Sequence, residues 1–334
     1  MKNITMKDIA KLAGVSVKTV SRVVNNNSEV KTETRNKVLG IIKQENYQVN
    51  ILAKGLREQE THTIMIFIDK HDHLGGYWNA WHTEAIQELM NCAKIRGYKV
   101  VISSSSARGF IGDDTDGFLL LKNGLADGAV IFDNKEDDIR INYLKNNNIP
   151  YVLIGKELNS NYNYVDLDNE KVGYIGYRHL YEKGYRKIKF LLSDETFIVN
   201  EERALGFKRA CKEINAKCDI IYSIFSIELA YEKTVELLEK NDTDAIFISG
   251  DERAFGVYKA IQERGLKIPE DMAVLSIDNI KYSGYITPPL TTISQDLKVF
   301  TKEIIEMLIS SIETKSNKIE SKLIEPKIII RKST

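Results

Sequence analysis

Four side chains near the amino terminus have the types and spacing needed to contact DNA bases. Val17, Lys18, Ser21 and Arg22 form two pairs four residues apart, 17/21 and 18/22, so they share one face of a helix. The guanidinium of Arg22 can bind guanine O6 and N7 together, Lys18 can reach guanine acceptors, and Val17 can contact a thymine methyl group. Ser16, Thr19 and Asn25 suit phosphate contacts, which position a protein without selecting a sequence.

A second segment with side chains that could bind a ligand follows the first strand predicted after residue 61. It runs from Asp69 to His82 and is rich in aromatic and acidic residues, among them Tyr77 and Trp81. Aromatic rings stack on the apolar faces of sugars, and carboxylates accept hydrogen bonds from hydroxyls. The segment predicts a small sugar-like ligand, neutral rather than anionic, with core packing of Trp81 as the alternative.

The DNA-contacting residues need a short helical scaffold. Thr5 to Ala13 predicts a first helix with Thr5 as N-cap and Asp8 completing a capping box. Gly14 supplies the turn, and Ser16 caps a second helix that runs to about Asn25. The apolar residues expected to pack inward are Ile9, Ala10, Leu12, Ala13, Val15, Val20, Val23 and Val24. This order of elements predicts a helix-turn-helix.

The next segments close this head and leave it. Thr32 to about Glu45 predicts a third helix, which packs through Val38, Ile41 and Ile42. Residues 50–57 are too few to hold a helix alone in water, so their order must come from a partner. Within them Leu56 is an apolar residue among cations, which fits a wedge inserted into the minor groove, with a plain linker as the alternative.

From residue 61 onward, short apolar runs alternate with amphipathic stretches. Strands are expected at 63–68, 99–103, 129–132, 151–154, 187–192, 219–222, 245–249 and 272–277, and helices at 83–96, 170–183, 201–214, 228–240 and 253–264. This alternation predicts parallel sheets covered by helices on both faces, with ligands at the carboxyl ends of strands.

Charge and composition limit the classes of function. Residues 1–57 carry 11 Lys and Arg against 4 Asp and Glu, a net charge of +7, within a chain that is neutral overall. A basic head on an acidic body indicates a polyanion partner for the head only. No apolar stretch is long enough to cross a bilayer and no signal peptide is evident, so a cytoplasmic, nucleoid-associated protein is expected. The three cysteines have no metal or redox spacing.

Two other classes fit less well. An enzyme is not expected, because the His71-Asp72-His73 cluster lacks a further ligand at metal spacing and Ser103–Ser106 lack the glycines of a nucleophile elbow. No catalytic residue, metal or cofactor is therefore assigned. A free-standing sugar-binding protein without a DNA-binding role is the alternative interpretation, but it leaves the basic head unexplained.

The head resembles the LacI/GalR family of bacterial transcription regulators. The resemblance is carried by residues 6–16 (MKDIAKLAGVS), by 19–25 (TVSRVVN), by Glu33-Thr34-Arg35 with Val38, and by Leu52-Ala53 with Leu56. Val49 stands where the family usually has proline. The resemblance implies a homodimer whose hinge segments fold on a pseudo-palindromic operator, with Leu56 of each subunit wedged at its centre. The expected DNA contacts are Thr5, Ser16, Val17, Lys18, Thr19, Ser21, Arg22, Asn25, Thr34, Tyr47, Asn50, Ala53 and Leu56.

The resemblance extends through the body and implies further ligand residues. Residues 79–82 (NAWH) are similar to a family element whose aromatics line the effector pocket, and Arg203 matches an arginine that binds the effector. Gly250 replaces the usual asparagine, so any contact from that side chain is absent. The expected effector contacts are Asp69, Tyr77, Trp81, His82, Asp168, Arg203, Phe225, Asp251 and Asp278. Helix capping by Asp251 and a structural ion pair of Arg203 remain alternatives.

The expected fold is an all-α helix-turn-helix head joined to an α/β body that resembles a periplasmic binding protein, with two doubly wound parallel-sheet subdomains. The expected boundaries are 1–48 for the head, 49–60 for the hinge helix and linker, and 61–334 for the effector-binding and dimerisation domain. Within that domain the N-subdomain takes about 61–161 and 293–322, and the C-subdomain about 162–292 and 323–334. No heptad-patterned tail is visible, so a dimer is expected. The implied function is a repressor of carbohydrate-use genes, allosterically controlled by a mono- or oligosaccharide.

Overall fold

The computed structural model describes residues 4–24, 27–47, 60–68, 79–107, 112–132, 138–156, 162–316 and 318–334. The predictions for Asn25, Asn50, Ala53, Leu56, Asp69 and Tyr77 lie outside these ranges. The chain divides into two compact units, residues 1–61 and 62–334, which we call the head and the body.

The head is built from helices α1 (Met6–Ala13), α2 (Val17–Val24) and α3 (Thr32–Gln44). Thr5 caps α1, and both hydrogen bonds of the predicted capping box with Asp8 are present. Gly14 follows α1 with φ +67°, a left-handed conformation that glycine adopts without steric cost. The capping and turn chemistry predicted from the sequence therefore holds α1 and α2 in helix-turn-helix order.

The head core is small and fully enclosed. Its buried members are Ile9, Ala10, Ala13, Val20, Val23 and Val38. Leu12 was expected on the same face, but 55% of its surface is exposed. Its position along α1 lies at the margin of the stripe formed by Ile9, Ala10 and Ala13, so the apolar pattern placed one residue too many inside.

The body alternates strands with helices. Its strands are β1 (Thr63–Ile68), β2 (Lys99–Ser104), β3 (Gly128–Ile131), β4 (Tyr151–Ile154), β5 (Tyr164–Leu167), β6 (Ile188–Leu191), β7 (Asp219–Ile221), β8 (Ala245–Ile248), β9 (Ala273–Asp278), β10 (Thr291–Ser294), β11 (Ser321–Ile324) and β12 (Lys327–Ile329). Its helices are α4 (Ala80–Ile95), α5 (Phe118–Lys122), α6 (Ile139–Asn146), α7 (Asn169–Glu182), α8 (Ile198–Glu213), α9 (Ile227–Lys240), α10 (Asp251–Glu263) and α11 (Leu297–Thr314), with a short 3-10 helix at Lys281–Gly284.

These strands form two six-stranded sheets, each the centre of one lobe. The first lobe has the order β11-β5-β4-β3-β1-β2, and its strands pair in parallel. The second lobe has the order β12-β10-β9-β8-β6-β7, in which only β12 pairs antiparallel among the described strands. The expected body of two doubly wound, mostly parallel subdomains is confirmed.

The chain crosses between the lobes after β5, after β10 and after β11. The expected subdomain boundaries lie a few residues too early at each crossing. The first lobe includes β5 beyond residue 161, the second lobe includes β10 up to residue 294, and β11 keeps the chain in the first lobe to residue 324. Each expected boundary therefore comes before the end of β5, β10 or β11, because the polar residues of these strands made them hard to recognise in the sequence.

Within the described ranges, no helix combines the length and apolar character needed to span a membrane. In the same ranges, no three His, Cys, Asp or Glu side chains are grouped as metal ligands, and His71, Asp72 and His73 lie outside them.

Candidate DNA-binding face and effector site

The second helix of the head presents the predicted base-contacting face. Ser16 caps α2, since its hydroxyl accepts a hydrogen bond from the Thr19 backbone N–H at 3.1 Å. Val20 and Val23 are buried, whereas Lys18 is exposed and Val17 keeps 41% of its surface exposed. An amphipathic helix of eight residues thus buries Val20 and Val23 and offers Val17 and Lys18 to a partner.

Arg22 is held only weakly by the head. Its Nη2 lies 3.6 Å from Glu29 Oε2, and the two side chains are 45% and 67% exposed. Exposed ion pairs of this kind contribute little, typically under about 1 kcal/mol, so the guanidinium can exchange this partner for a base or a phosphate. Helix α2 therefore positions Arg22 without engaging its guanidinium in a strong contact.

The remaining described head residues have mixed roles. The Thr5 hydroxyl donates to Asp8 Oδ2 at 2.7 Å, and the Ser16 hydroxyl lies 2.9 Å from that of Thr19. Thr5 and Ser16 therefore serve as helix caps at exposed positions. Thr34 and Tyr47 are half-buried.

In the body, Arg203 lies at the centre of a polar cluster. It is only 8% exposed; its Nε donates to Asn169 Oδ1 at 3.0 Å and its Nη1 donates to Ser249 Oγ at 2.8 Å. Burial lowers the pKa of Arg203, while the charges of Asp278, Asp166 and Glu202 raise it. Among the described residues no acceptor takes its Nη2.

Two glycines explain how Arg203 reaches this position. A Cβ at Gly173 of α7 would lie 1.9 Å from the Arg203 carbonyl oxygen, and a Cβ at Gly206 of α8 would lie 1.8 Å from the Glu170 carbonyl oxygen. The backbones of α7 and α8 can approach this closely only because neither position carries a side chain. This contact places Arg203 beside Asn169 at the start of α7.

Asp278 is the carboxylate that faces this arginine. It ends β9 with φ +123°, a conformation that costs a non-glycine residue of order 1 to 3 kcal/mol and is concentrated at functional sites. Gln295 Nε2 donates to its Oδ1 at 2.7 Å. Burial raises the pKa of Asp278, and Arg203, Gln295, Arg253 and His82 act in the opposite direction by favouring its charged form.

Asp251 does not belong to the ligand-facing set. It is 0% exposed and accepts hydrogen bonds from Thr292 Oγ1 at 2.6 Å and from the Ile280 backbone N–H at 2.9 Å. The hydroxyls of Ser276 and Ser283 also donate to it. These four donors fill its carboxylate, so the expected effector contact is wrong. Capping is also wrong, because Gly250 occupies the N-cap of α10 and makes no side-chain cap.

Asp168 and Phe225 lie just before helices α7 and α9. Asp168 caps α7 by accepting a hydrogen bond from the Lys171 backbone N–H at 2.9 Å. The Asp168 carboxylate therefore has a structural role as a helix cap, whereas the sequence predicted that it contacts the effector. Phe225 is half-buried just before α9, next to the backbone of Ile224.

The first lobe contributes Trp81 and His82 from the first turn of α4. Trp81 is 9% exposed and packs edge-on against Phe132 and Phe300, so it belongs mainly to the core. Its buried Nε1 has no acceptor among the described residues. His82 closes a capping box with Asn79, whose Oδ1 accepts from the His82 backbone N–H at 3.2 Å.

Three polar contacts join the lobes around this cluster. The Ala80 backbone N–H donates to Glu252 Oε1 at 3.0 Å, and the Lys281 N–H donates to Glu84 Oε1 at 3.0 Å. Lys156, which follows β4, forms an ion pair with Glu202 of α8. The first turn of α4, which carries His82, thus contacts the start of α10, close to Ser249, which binds Arg203, and to the end of β9 at Asp278.

Several members of the site were not found from the sequence. They are Asn169, Glu252, Arg253 and Gln295. Each is polar and follows a strand, which is the available signal, but only tertiary packing separates these residues from many similar ones. A separate cavity of about 410 Å³, lined by residues of α10 with Ile286 and Thr287, contains none of the predicted effector residues.

A helix-turn-helix head joined to a two-lobed α/β body is the architecture of a class of DNA-binding regulators. Residues 5–50 match the family model described as bacterial regulatory proteins of the lacI family, and residues 177–334 match a periplasmic binding protein-like domain. The chain is 31% identical over 319 residues to the HTH-type transcriptional regulator MalR of Clostridium butyricum, covering 92% of this chain and 93% of that protein. It is 30% identical over 343 residues to the HTH-type transcriptional repressor PurR of Mannheimia succiniciproducens, covering 98% of both.

Solved structures show the same fold. The Lac repressor dimer bound to operator and the anti-inducer ONPF aligns with a TM-score of 0.85 at 24% identity, covering 100% of this chain and 99% of that chain. The complex of the transcriptional regulator CelR with cellobiose aligns with a TM-score of 0.73 at 24% identity, covering 99% and 100%. The chain belongs to the LacI family and is a DNA-binding transcription regulator; its relatives are regulators, not enzymes.

Proposed function

We propose that this regulator is a cytoplasmic, non-enzymatic repressor of carbohydrate-use genes whose operator binding is controlled by a small sugar-like effector. The observation that carries the effector part is the convergence of Arg203, Asp278 and His82 between the lobes. A buried guanidinium and a buried carboxylate supply one donor and one acceptor of fixed position, which suits a hydroxyl-rich ligand.

The strained backbone at Asp278 supports this assignment. A residue with φ +123° is tolerated where its side chain must point in a particular direction, and Gln295, which directly follows β10, fixes that direction by its hydrogen bond. Asp69 and Tyr77 remain proposed effector contacts on the basis of the sequence. Asp251 is not a proposed effector contact, because its carboxylate is hydrogen-bonded within the fold. Asp168 contributes to the site as the N-cap of α7.

For operator binding we propose that α2 lies in the major groove with Val17, Lys18, Ser21 and Arg22 towards the bases. Ser16, Thr19, Asn25, Thr34 and Tyr47 would contact phosphates, with Thr5 at the α1 cap. Asn50, Ala53 and Leu56 would form the hinge contacts in a homodimer on a pseudo-palindromic site. Two heads on one site raise the affinity above that of one head.

The switch is a change in the relation of the two lobes. An effector that binds one arrangement more tightly shifts the population towards it, and a ligand with equal affinity for both would switch nothing. The contacts of Glu252 with Ala80, Glu84 with Lys281 and Lys156 with Glu202 are the described cross-lobe bonds that such a change would make or break.

The full-length protein provides the test. Selection of genomic fragments at two salt concentrations should recover a pseudo-palindromic sequence whose binding weakens with salt, because phosphate contacts release counterions. A sugar panel is then applied to the complex, and one member should change the operator affinity. Absence of any sequence preference would contradict the DNA-binding part, while operator binding that no sugar changes would contradict the effector part.

Arg203→Ala separates the two parts. It should leave operator binding intact and abolish the response to the effector, because Arg203 belongs to the body and not to the head. An unaltered response would remove Arg203 from the site. The alternative of a sugar-binding protein without a DNA-binding role is not retained, because the family match covers the head itself.

A further inference from the structure

The buried arginine of the proposed effector site has its backbone and its side chain fixed by different contacts. The close approach of α7 and α8 at Gly173 and Gly206 fixes the backbone of Arg203. The direction of its guanidinium depends on two acceptors, Asn169 Oδ1 at 3.0 Å from Nε and Ser249 Oγ at 2.8 Å from Nη1. Because a buried donor without its acceptor is costly, a change at either acceptor reorients the guanidinium.

Asn169 is the acceptor that connects Arg203 to the first crossing between the lobes. Ser249 directly follows β8 and belongs to the second lobe. Asn169 begins α7 in the same lobe and is only 1% exposed. Its Nδ2 donates to Asp166 Oδ1 and to the Leu167 carbonyl, both at 3.1 Å, and both of these residues belong to β5 of the first lobe. The asparagine side chain therefore spans the point where the chain leaves the first lobe.

The two ends of the Asn169 amide have opposite partners, which fixes the orientation of the amide. Both hydrogens of Nδ2 go to oxygen acceptors, and Oδ1 accepts from the Nε–H of Arg203. Rotation of the amide by half a turn would place its oxygen against the Asp166 carboxylate and its NH2 group against a donor. Hydrogen bonds in a chain polarise one another, so the Asp166 carboxylate also makes Oδ1 a better acceptor.

Asp166 connects this amide to the ion pair that joins the lobes. Its Oδ2 accepts a hydrogen bond from the Lys156 backbone N–H at 3.2 Å. The Lys156 side chain forms the ion pair with Glu202, which directly precedes Arg203 in α8. A continuous chain of polar contacts therefore runs from the cross-lobe ion pair through Asp166 and Asn169 to Arg203.

We propose that Asp166 and Asn169 are positioning residues that make the direction of the Arg203 guanidinium depend on the arrangement of the lobes. When the crossing after β5 changes, the Asn169 amide moves with Asp166, and the Arg203 Nε–H loses or regains its acceptor. Effector binding that needs one direction of Arg203 is thereby tied to one arrangement of the lobes. This assignment rests on the proposed effector site and names how that site is coupled to the switch.

The first test measures Arg203 directly and needs no effector. In the full-length protein with isotope-labelled arginine, the NMR signal of the Arg203 Nε–H is assigned by its loss in Arg203→Lys. Exchange of this proton with solvent is slow while the proton is buried and hydrogen-bonded. Asn169→Leu should speed the exchange at least about tenfold, because the acceptor is removed. Asp166→Leu should have the same effect, although Asn169 stands between Asp166 and Arg203.

Conservative and smaller variants keep this test independent of a failure to fold. Asp166→Asn retains an oxygen that accepts from the Asn169 Nδ2, so the slow exchange of the wild type should be kept. Asn169→Ala and Asp166→Ala remove the same polar groups without added bulk. They are measured in parallel, so the test holds even where a leucine variant does not fold.

Asn200→Leu is the matched control for a general loss of stability. Asn200 of α8 is also 1% exposed, and its Nδ2 also donates to two acceptors, Ser193 Oγ at 2.8 Å and the Asp194 carbonyl at 2.7 Å. This variant should lower the free energy of unfolding, as Asn169→Leu does. It should leave the exchange of the Arg203 Nε–H unchanged.

The second test uses the effector response. Cellobiose, maltose, D-ribose and D-glucose are titrated against the operator complex, and a sugar that changes the operator affinity is kept as the probe. Asn169→Leu and Asp166→Leu should need at least about tenfold more of this sugar for the same response, because a smaller fraction of the protein has Arg203 in the binding direction. Asp166→Asn and Asn200→Leu should respond as the wild type does.

The outcomes separate this inference from the proposed function. Unchanged exchange of the Arg203 Nε–H in Asn169→Leu and Asn169→Ala overturns positioning by Asn169. Unchanged exchange in the Asp166 variants, or equal acceleration in Asn200→Leu, overturns the connection to the crossing. A normal sugar response despite faster exchange overturns the coupling to the switch. If no sugar changes operator binding, the sugar effector is rejected, and the exchange rates still decide whether Asp166 and Asn169 position Arg203.

Discussion

The head and the second lobe of the body place charged residues by different means. In the head, Lys18 and Arg22 stay available because α2 needs only its valines for packing, and their positions follow from local helical spacing. In the second lobe, Asp251 lies just after β8 and Asp278 ends the neighbouring strand β9, yet four donors enclose Asp251 whereas Gln295 is the donor to Asp278. In the head, the spacing of residues within one helix determines which charged side chains stay available to a partner. In the body, packing between distant segments determines this.

The largest expected effect concerns the enclosed carboxylate. Asp251→Ala should lower the free energy of unfolding by about 3 kcal/mol or more, because it leaves the Ile280 N–H and three hydroxyls without their acceptor in a buried space. Chemical denaturation of the body signal measures this.

Asp278→Asn is the matched control for that change. An asparagine oxygen can still accept the hydrogen bond from Gln295, so the stability should change by less than about 1 kcal/mol while the effector response is lost. Equal destabilisation by both variants would contradict the distinction between the structural carboxylate of Asp251 and the proposed ligand-binding carboxylate of Asp278.

A second prediction uses Asp166, which lies beside the Lys156–Glu202 pair. Burial raises its pKa to about 6, with the charge of Glu202 adding to the shift and hydrogen bonds from the Leu167 and Lys156 N–H groups opposing it. An unfolded aspartate titrates near 3.9, so between about pH 4 and pH 6 the native state binds more protons than the unfolded state. The contribution of Asp166 to stability therefore falls as pH rises through this window.

In the wild type, the Asp166 contribution to the free energy of unfolding should fall by about 3 kcal/mol between about pH 4 and pH 6. Asp166→Asn should abolish this fall. Asp219 gives a control of opposite sign: burial raises its pKa, but hydrogen bonds and charges from Lys189 and Lys217 outweigh this and lower it. Asp219→Asn should remove stability that is present above about pH 4 and lost on acidification. Unchanged slopes in Asp166→Asn would contradict a proton held by the native Asp166 carboxyl.

What could be predicted from the sequence also differs between the head and the body. Capping by Thr5 and Asp8, the turn at Gly14 and the inner valines depend on neighbours within a few residues, so they were predicted correctly. The strand and helix alternation of the body was equally visible, because apolar runs of different period are local features.

The errors in the body have a common physical cause. Strands β5 and β10 carry polar residues that resemble those of linkers, and helix α11 was not among the predicted helices. The roles of Asp251, Gln295 and Arg253 depend on partners many residues away, such as Thr292 and Ile224. No spacing within one element could reveal these partners.

A third prediction tests local control in the head. Arg22→Ala should relax the preference for guanine at one operator position by about 1 to 3 kcal/mol, because a bidentate contact to O6 and N7 is lost. Thr19→Ala should weaken all operator variants to a similar extent, since a phosphate contact carries no base information. Fluorescence anisotropy on a set of single-base operator variants measures both, and equal losses across the set for the two variants would refute the role given to Arg22.

The smallest expected effect concerns the cap of α1. Thr5→Ala should destabilise this helix by about 1 kcal/mol, because the Asp8 backbone N–H and the Asp8 carboxylate lose the Thr5 hydroxyl. Amide hydrogen exchange of α1 in the full chain measures the change, and Asp8→Ala combined with Thr5→Ala should cost less than the sum of the single variants because both remove the same box. If Thr5→Ala weakens operator binding by more than this loss of helix stability, the hydroxyl also contacts DNA. Strictly additive effects would mean that the Thr5 and Asp8 side chains act independently. The helices of the head would then have to be held in place by its apolar core alone.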